Sequence, residues 1–235
     1  MTQHPLSETI AQLKEIVDYV EAQVGVPDGS GWISPSELFG PESAVIPQLR
    51  SHFETCLKTT SKNMLGSAII QAYQRQLIVT VIGTYLAASR VPDLSHSNFS
   101  LRLFTQDNAR EEVGEVGVEK IAFLGGRFYA LPDDPAASHP DITLISDAAA
   151  LRDRLRAELV THFNSIVSQI GSHIGTKPRG LWLDVADQCA GTLIWLMQET
   201  KPGISAAEIK AEIDLLLKVS GSPLNHNKIG HFRTF

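Results

Sequence analysis

From Leu151 to Met197 the chain carries two apolar stripes separated by a short polar joint. Leu155, Leu159, Phe163, Val167, Ile170 and Ile174 recur at three- and four-residue steps, and Leu181, Val185, Cys189, Thr192 and Leu196 do the same after the joint. That spacing puts each set on one face of a helix. The joint, Gly175-Thr176-Lys177-Pro178-Arg179-Gly180, holds both a stop and a start. Gly175 can end the first helix in a left-handed conformation, Thr176 is expected to cap the next, and Pro178 suits a first turn that needs no amide donor. The pattern predicts a helical hairpin with Arg179 and Trp182 at its mouth.

The rest of the chain divides in the same way. Ser7 is expected to cap a helix reaching about Val24, with Leu6, Ile10, Leu13, Val17, Val20 and Val24 in one stripe. Ser34-Pro35-Ser36-Glu37 reads as the cap and first turn of a short helix stopped by Gly40-Pro41. A further amphipathic stretch runs from Ser43 to about Lys58, with Pro47 in its first turns. Ser61 to Ala88 is the longest helical candidate; it is apolar on more than one face beyond Leu77 and is expected to be the central, most buried helix. Its Gly66 and Gly83 are read as allowing close helix packing. Between about residues 98 and 146 the period drops to two: Phe99, Leu101 and Leu103 alternate with Ser100 and Arg102. Val118–Phe123 and Arg127–Leu131 flank Gly125-Gly126, a two-residue hairpin signal, and Ile142–Ile145 adds an edge strand. Ser205, with Glu208 three residues on, forms a capping box before a last helix striped by Ile209, Ile213, Leu216 and Val219. The expected fold class is α+β, mainly α: a helical bundle with a small antiparallel β-meander on one side. It is read as an N-terminal helical segment (1–60) and a domain (61–235) with helices over 147–219 and an irregular tail over 220–235, packed as one unit.

Composition narrows the function classes. A formal net charge of −6 argues against a nucleic-acid partner, which would usually meet a basic protein. No run of 18 apolar residues occurs, so a membrane-spanning helix is not expected. The first residues lack the basic-then-apolar pattern of a secretory signal, and Cys56 and Cys189 make no disulfide framework; a cytoplasmic location is the expectation.

Candidate chemistry concentrates at the joint. Lys177 and Arg179 sit where amide donors and the helix dipole already favour an anion, although Arg179 could equally pair with Asp184 or Asp187. Trp182 either stacks on a planar ligand group or packs in the core beside Trp195. No metal site is expected; His226 and His231 are the remaining candidates, in a tail without helical periodicity. Glu158 and His162, one turn apart, read as an exposed pair. There is no Gly-x-Ser-x-Gly elbow, no phosphate loop, and no histidine directly beside either cysteine to activate it. Glu111, Glu112, Glu115 and Glu119 read as a solvated acidic stretch.

The segment His173-Ile174-Gly175-Thr176-Lys177-Pro178-Arg179-Gly180-Leu181-Trp182-Leu183-Asp184-Val185-Ala186-Asp187, continuing to Gln198, resembles the ferric siderophore reductase (FhuF-like) family, also found at the C-terminus of aerobactin-type siderophore synthetases. The likeness lies in a helix, a short turn, an Arg just before a Leu-Trp pair, and a helix of small residues from Val185. Softer likeness over Ala72–Phe104 and Gly221–Phe235 extends it to roughly residues 60–235. The resemblance implies a ferric siderophore or related ligand near Lys177, Arg179 and Trp182. It also implies a [2Fe–2S] cluster on two adjacent cysteines and a later Cys-x-x-Cys, which this sequence lacks. Two readings follow. One is a siderophore-binding relative without a cluster; the other is a ferric siderophore reductase that releases Fe(II), either with residues beyond Phe235 or with an external redox partner.

Overall fold

The computed structural model describes residues 3–106 and 115–226. The α+β, mainly helical class is observed. The helices are α1 (Pro5–Ile16), α2 (Pro35–Phe39), α3 (Val45–Cys56), α4 (Lys62–Ala88), α5 (Ala148–Ile174), α6 (Pro178–Thr200) and α7 (Ala206–Leu217). The strands are β1 (Ala22–Val24), β2 (Trp32–Ile33), β3 (Val91–Pro92), β4 (Phe99–Gln106), β5 (Glu115–Phe123), β6 (Phe128–Ala130) and β7 (Ile142–Leu144).

α4 is the axis of the molecule. Every residue from Leu77 to Thr84 is buried, because α1, α3, α5, α6, β3 and β5 all pack on it. Its glycines are places of close approach. A Cβ on Gly83 would lie 2.5 Å from a Leu13 methyl of α1, and one on Gly66 would lie 2.7 Å from Thr176 Cγ2 at the α5–α6 joint. One hydrophobic core runs from Leu6 in α1 to Leu224 after α7. The capping boxes at Ser34 and Ser205 are both formed.

Three expectations are corrected. The first helix starts at Pro5, capped by His4 Nδ1 accepting from the Leu6 amide, and ends at Ile16 rather than near Val24. Val17 turns extended, and Ala22–Val24 instead lies parallel to β5, with Ala22 opposite Ile121. The apolar repeat at Val17, Val20 and Val24 suits either state, and β-branched valines favour the sheet. The Gly125-Gly126 hairpin does not form. Asn98 Oδ1 accepts the Gly125 amide at 2.6 Å, and Gly126, at a φ of 66°, swings the chain away from β5. The meander is consequently two mixed sheets. One has the order β1-β5-β4-β2, with β4 and β5 antiparallel; the other has the order β3-β6-β7, with β6 and β7 parallel. Glu111, Glu112 and His231 lie outside the described residues.

Candidate functional site

Gly175 closes α5 with a φ of 76°, as its position in the joint predicts, and Pro178 opens α6. Thr176 does not cap α6. Its hydroxyl is drawn to Asn63 Oδ1 of α4 at 3.0 Å, and Lys177 becomes the cap residue with no side-chain hydrogen bond. The first turn of a 23-residue helix is therefore left to other acceptors. Lys177 and Arg179 are exposed there and line a cleft of about 800 Å³ with Asn63, Gly180, Leu183, Asn225 and His226. Among the described residues neither cation has a carboxylate partner; Asp184 is engaged by the Ser67 hydroxyl instead, at 2.6 Å.

Trp182 does not join them. It is buried against α5, bordering a separate depression with Val167, Ser168 and Gly171, and does not line the cleft of Lys177 and Arg179. Nor does it meet Trp195, which stacks on Tyr19 with ring centroids 6.0 Å apart. Thirteen residue steps along α6 take Trp182 to Trp195, about 20 Å along the axis.

α4 and α6 run side by side along a groove that the Ser67–Asp184 hydrogen bond crosses between the cleft and a second hollow. Asn63, Ser67, Gln71 and Gln74 follow one another at three- and four-residue steps on α4, and Gly180, Asp184, Asp187 and Gly191 do so on α6. Beyond the cationic mouth, Gln71, Gln74, Asp184, Asp187 and Gln188 line a hollow of about 440 Å³. Partial loss of water and then the like charge of Asp184 raise the Asp187 carboxyl above its ordinary range, while His226 acts in the opposite sense.

Glu158 and His162 are not an exposed pair; both are buried on α5. His162 Nδ1 faces the Leu94 carbonyl at 2.7 Å and Nε2 faces the Tyr73 hydroxyl at 2.6 Å. Burial lowers its pKa to about 3, so the ring is neutral: Nδ1–H donates and Nε2 accepts from Tyr73. Glu158 accepts the Leu94 amide at 2.7 Å and pairs with Arg154. A second missed pair is His52 and Cys56, one turn apart on α3, with Nε2 3.1 Å from Sγ on the wall of a cleft of about 560 Å³. Burial pushes the Cys56 thiol up, so it is no activated thiolate.

The cysteines do not fit an iron–sulfur cluster. Cys189 is wholly buried in α6, where burial pushes its thiol up to about 12, and Cys56 closes a different helix. His4, His139 and Asp141 offer ligand atoms within 4.8 Å of one another. However, His4 Nδ1 accepts the Leu6 amide and His139 Nδ1 accepts the Asp141 amide at 3.3 Å. Each neutral ring then carries its proton on Nε2, and His4 donates it to Asp141 at 3.2 Å. The trio is a hydrogen-bonded clasp whose nitrogen lone pairs are already engaged.

No protein-family model matches the chain, and no curated protein matches it.

Proposed function

We propose that the chain is a ligand-binding protein that takes a small, anionic, oxygen-rich chelate at the mouth of the α4–α6 groove, a ferric siderophore of the kind bound by FhuF-like proteins. The observation that carries this reading is the pair Lys177 and Arg179. They are exposed, without carboxylate partners among the described residues, on the uncapped first turn of α6 and beside a cleft of chelate size. Helix dipole, amide donors and two cations act there on the same anion. Siderophore oxygens are hard, negatively charged donors, and a planar guanidinium grips two of them at once. Cys56 and Cys189 lie on separate helices and do not by themselves make a cluster site, so the reading is confined to binding.

Arg179→Ala is expected to weaken binding of a ferric hydroxamate by roughly ten- to a hundredfold, since a charge-assisted hydrogen bond is worth about 1.5–3 kcal/mol. Arg179→Lys should recover part of that loss. The melting temperature should hardly move, because the side chain is exposed. Titration calorimetry that finds no binding of hydroxamate, catecholate or citrate-type ferric complexes by the unaltered protein would reject the reading.

A further inference from the structure

Beyond the cationic mouth, the groove has a feature that anion binding does not use. Gln74 is 1% exposed, and its amide nitrogen donates to the Asp184 carbonyl at 3.2 Å. That contact fixes which end of the amide is oxygen, since a carbonyl accepts only from the nitrogen. The remaining atom, Oε1, is buried with no partner among the described residues, and Gln74 lines the hollow that also holds Asp184 and Asp187. An unmet buried acceptor costs about 1–3 kcal/mol, which makes it a poor feature to keep without a donor to meet it.

The two carboxylates share the same want. Asp184 uses one oxygen for Ser67, and neither aspartate has a lysine or arginine partner within ion-pair distance among the described residues. Arg75 borders the hollow, but its guanidinium lies over the Tyr19 ring, 4.8 Å from the centroid. The hollow therefore offers three acceptors with no cation paired to them among the described residues.

We propose that this hollow binds a primary ammonium group, held by Gln74 Oε1 and the carboxylates of Asp184 and Asp187. An ammonium matches the set because it brings three N–H donors and one positive charge, and has no need of an acceptor. A hard divalent metal fits less well, since it takes six or more oxygens at about 2.0–2.6 Å. The described His, Cys, Asp and Glu ligand atoms gather that closely only at the His4 clasp. Resting on the reading of the mouth given above, the groove would select ligands with an anionic group at Lys177 and Arg179 and an ammonium farther in. The rise from Gly180 to Asp184 and Asp187 sets their separation at about 6–10 Å.

The test uses the full chain and two probes in titration calorimetry. Hexylammonium carries the ammonium alone, and ω-aminohexanoate carries both groups. Wild-type protein should bind hexylammonium, and Asp187→Asn should weaken it by roughly ten- to a hundredfold, as loss of a charge-assisted bond does. Arg179→Ala should leave hexylammonium unchanged yet weaken ω-aminohexanoate, which separates this site from the mouth. Gln74→Leu should also lose hexylammonium, while its melting temperature stays level or rises because the unmet oxygen is gone. The proposal is overturned if wild-type protein ignores hexylammonium, if Asp187→Asn binds it equally well, or if Ca²⁺ or Mg²⁺ binds and displaces it.

Discussion

His162 shows how burial decides what a residue does. A histidine one turn from a glutamate reads from sequence as a solvent pair, and the neighbouring Leu159 and Phe163 do not contradict that. In the fold α5 is enclosed on more than one side, so the positions flanking its stripe are buried too, and the Tyr73 hydroxyl and the Leu94 peptide meet the imidazole there. Those partners come from 89 and 68 residues away, which local periodicity cannot reveal. The pH dependence follows. The folded pKa is about 3 against an ordinary 6.5, so between those values the unfolded chain takes up a proton that the native chain refuses. Stability from this group is complete above about pH 6.5 and falls as pH drops toward 3, by at most about 1.4 kcal/mol per pH unit. Urea unfolding between these limits should show that slope, and His162→Gln should flatten it. An unchanged slope would mean that the imidazole is protonated in the native state.

Among the elements, long helices are legible in the sequence and their meeting points are not. The stop at Gly175, the start at Pro178 and the capping box at Ser205 appear where the sequence places them, because each depends on a few adjacent residues. Thr176 fails as a cap for a tertiary reason: Asn63 of α4 holds its hydroxyl, which leaves Lys177 as the cap residue and α6 uncapped by a side chain. The place of Lys177 and Arg179 on the first turn of α6 is thus legible, whereas Trp182, one turn on, is buried because α5 packs back over that flank, which local spacing does not reveal. Two glycines test this packing. A methyl group at Gly191 of α6 would have no neighbour within 4 Å, so Gly191→Ala should stabilise by about 0.5–1 kcal/mol through helix propensity alone. Gly66→Ala would meet the stiff Thr176 side chain and should cost about 1–3 kcal/mol despite the same propensity gain. Equal effects in denaturant titrations would show that α4 does not pass as closely under the joint as the structure has it.

At the scale of the whole molecule, what the sequence hides is long-range pairing. β1 lies parallel to β5 and β7 parallel to β6, and parallel neighbours carry no turn between them to betray the pairing. A single arginine does much of the joining. Arg90, just after α4, donates through Nη1 to the Pro5 carbonyl at 2.7 Å and to the Thr9 hydroxyl at 2.9 Å in α1. Its Nε and Nη2 grip both oxygens of Asp134 at 2.8 Å in the proline-rich loop before β7. Both side chains are almost fully buried, and the guanidinium holds the Asp134 carboxyl below the ordinary carboxylate range. Removing one partner leaves a buried charge with nothing to balance it, which costs about 3–5 kcal/mol. Asp134→Asn should therefore destabilise by close to that amount in denaturant titrations. Arg90→Met with Asp134→Leu should cost less than the single change, because no uncompensated charge remains and α1 still has its own Thr9–Pro5 hydrogen bond. A loss under about 1 kcal/mol for Asp134→Asn would place the pair among solvent-screened surface bridges. α1 and the loop before β7 would then be held by apolar packing alone.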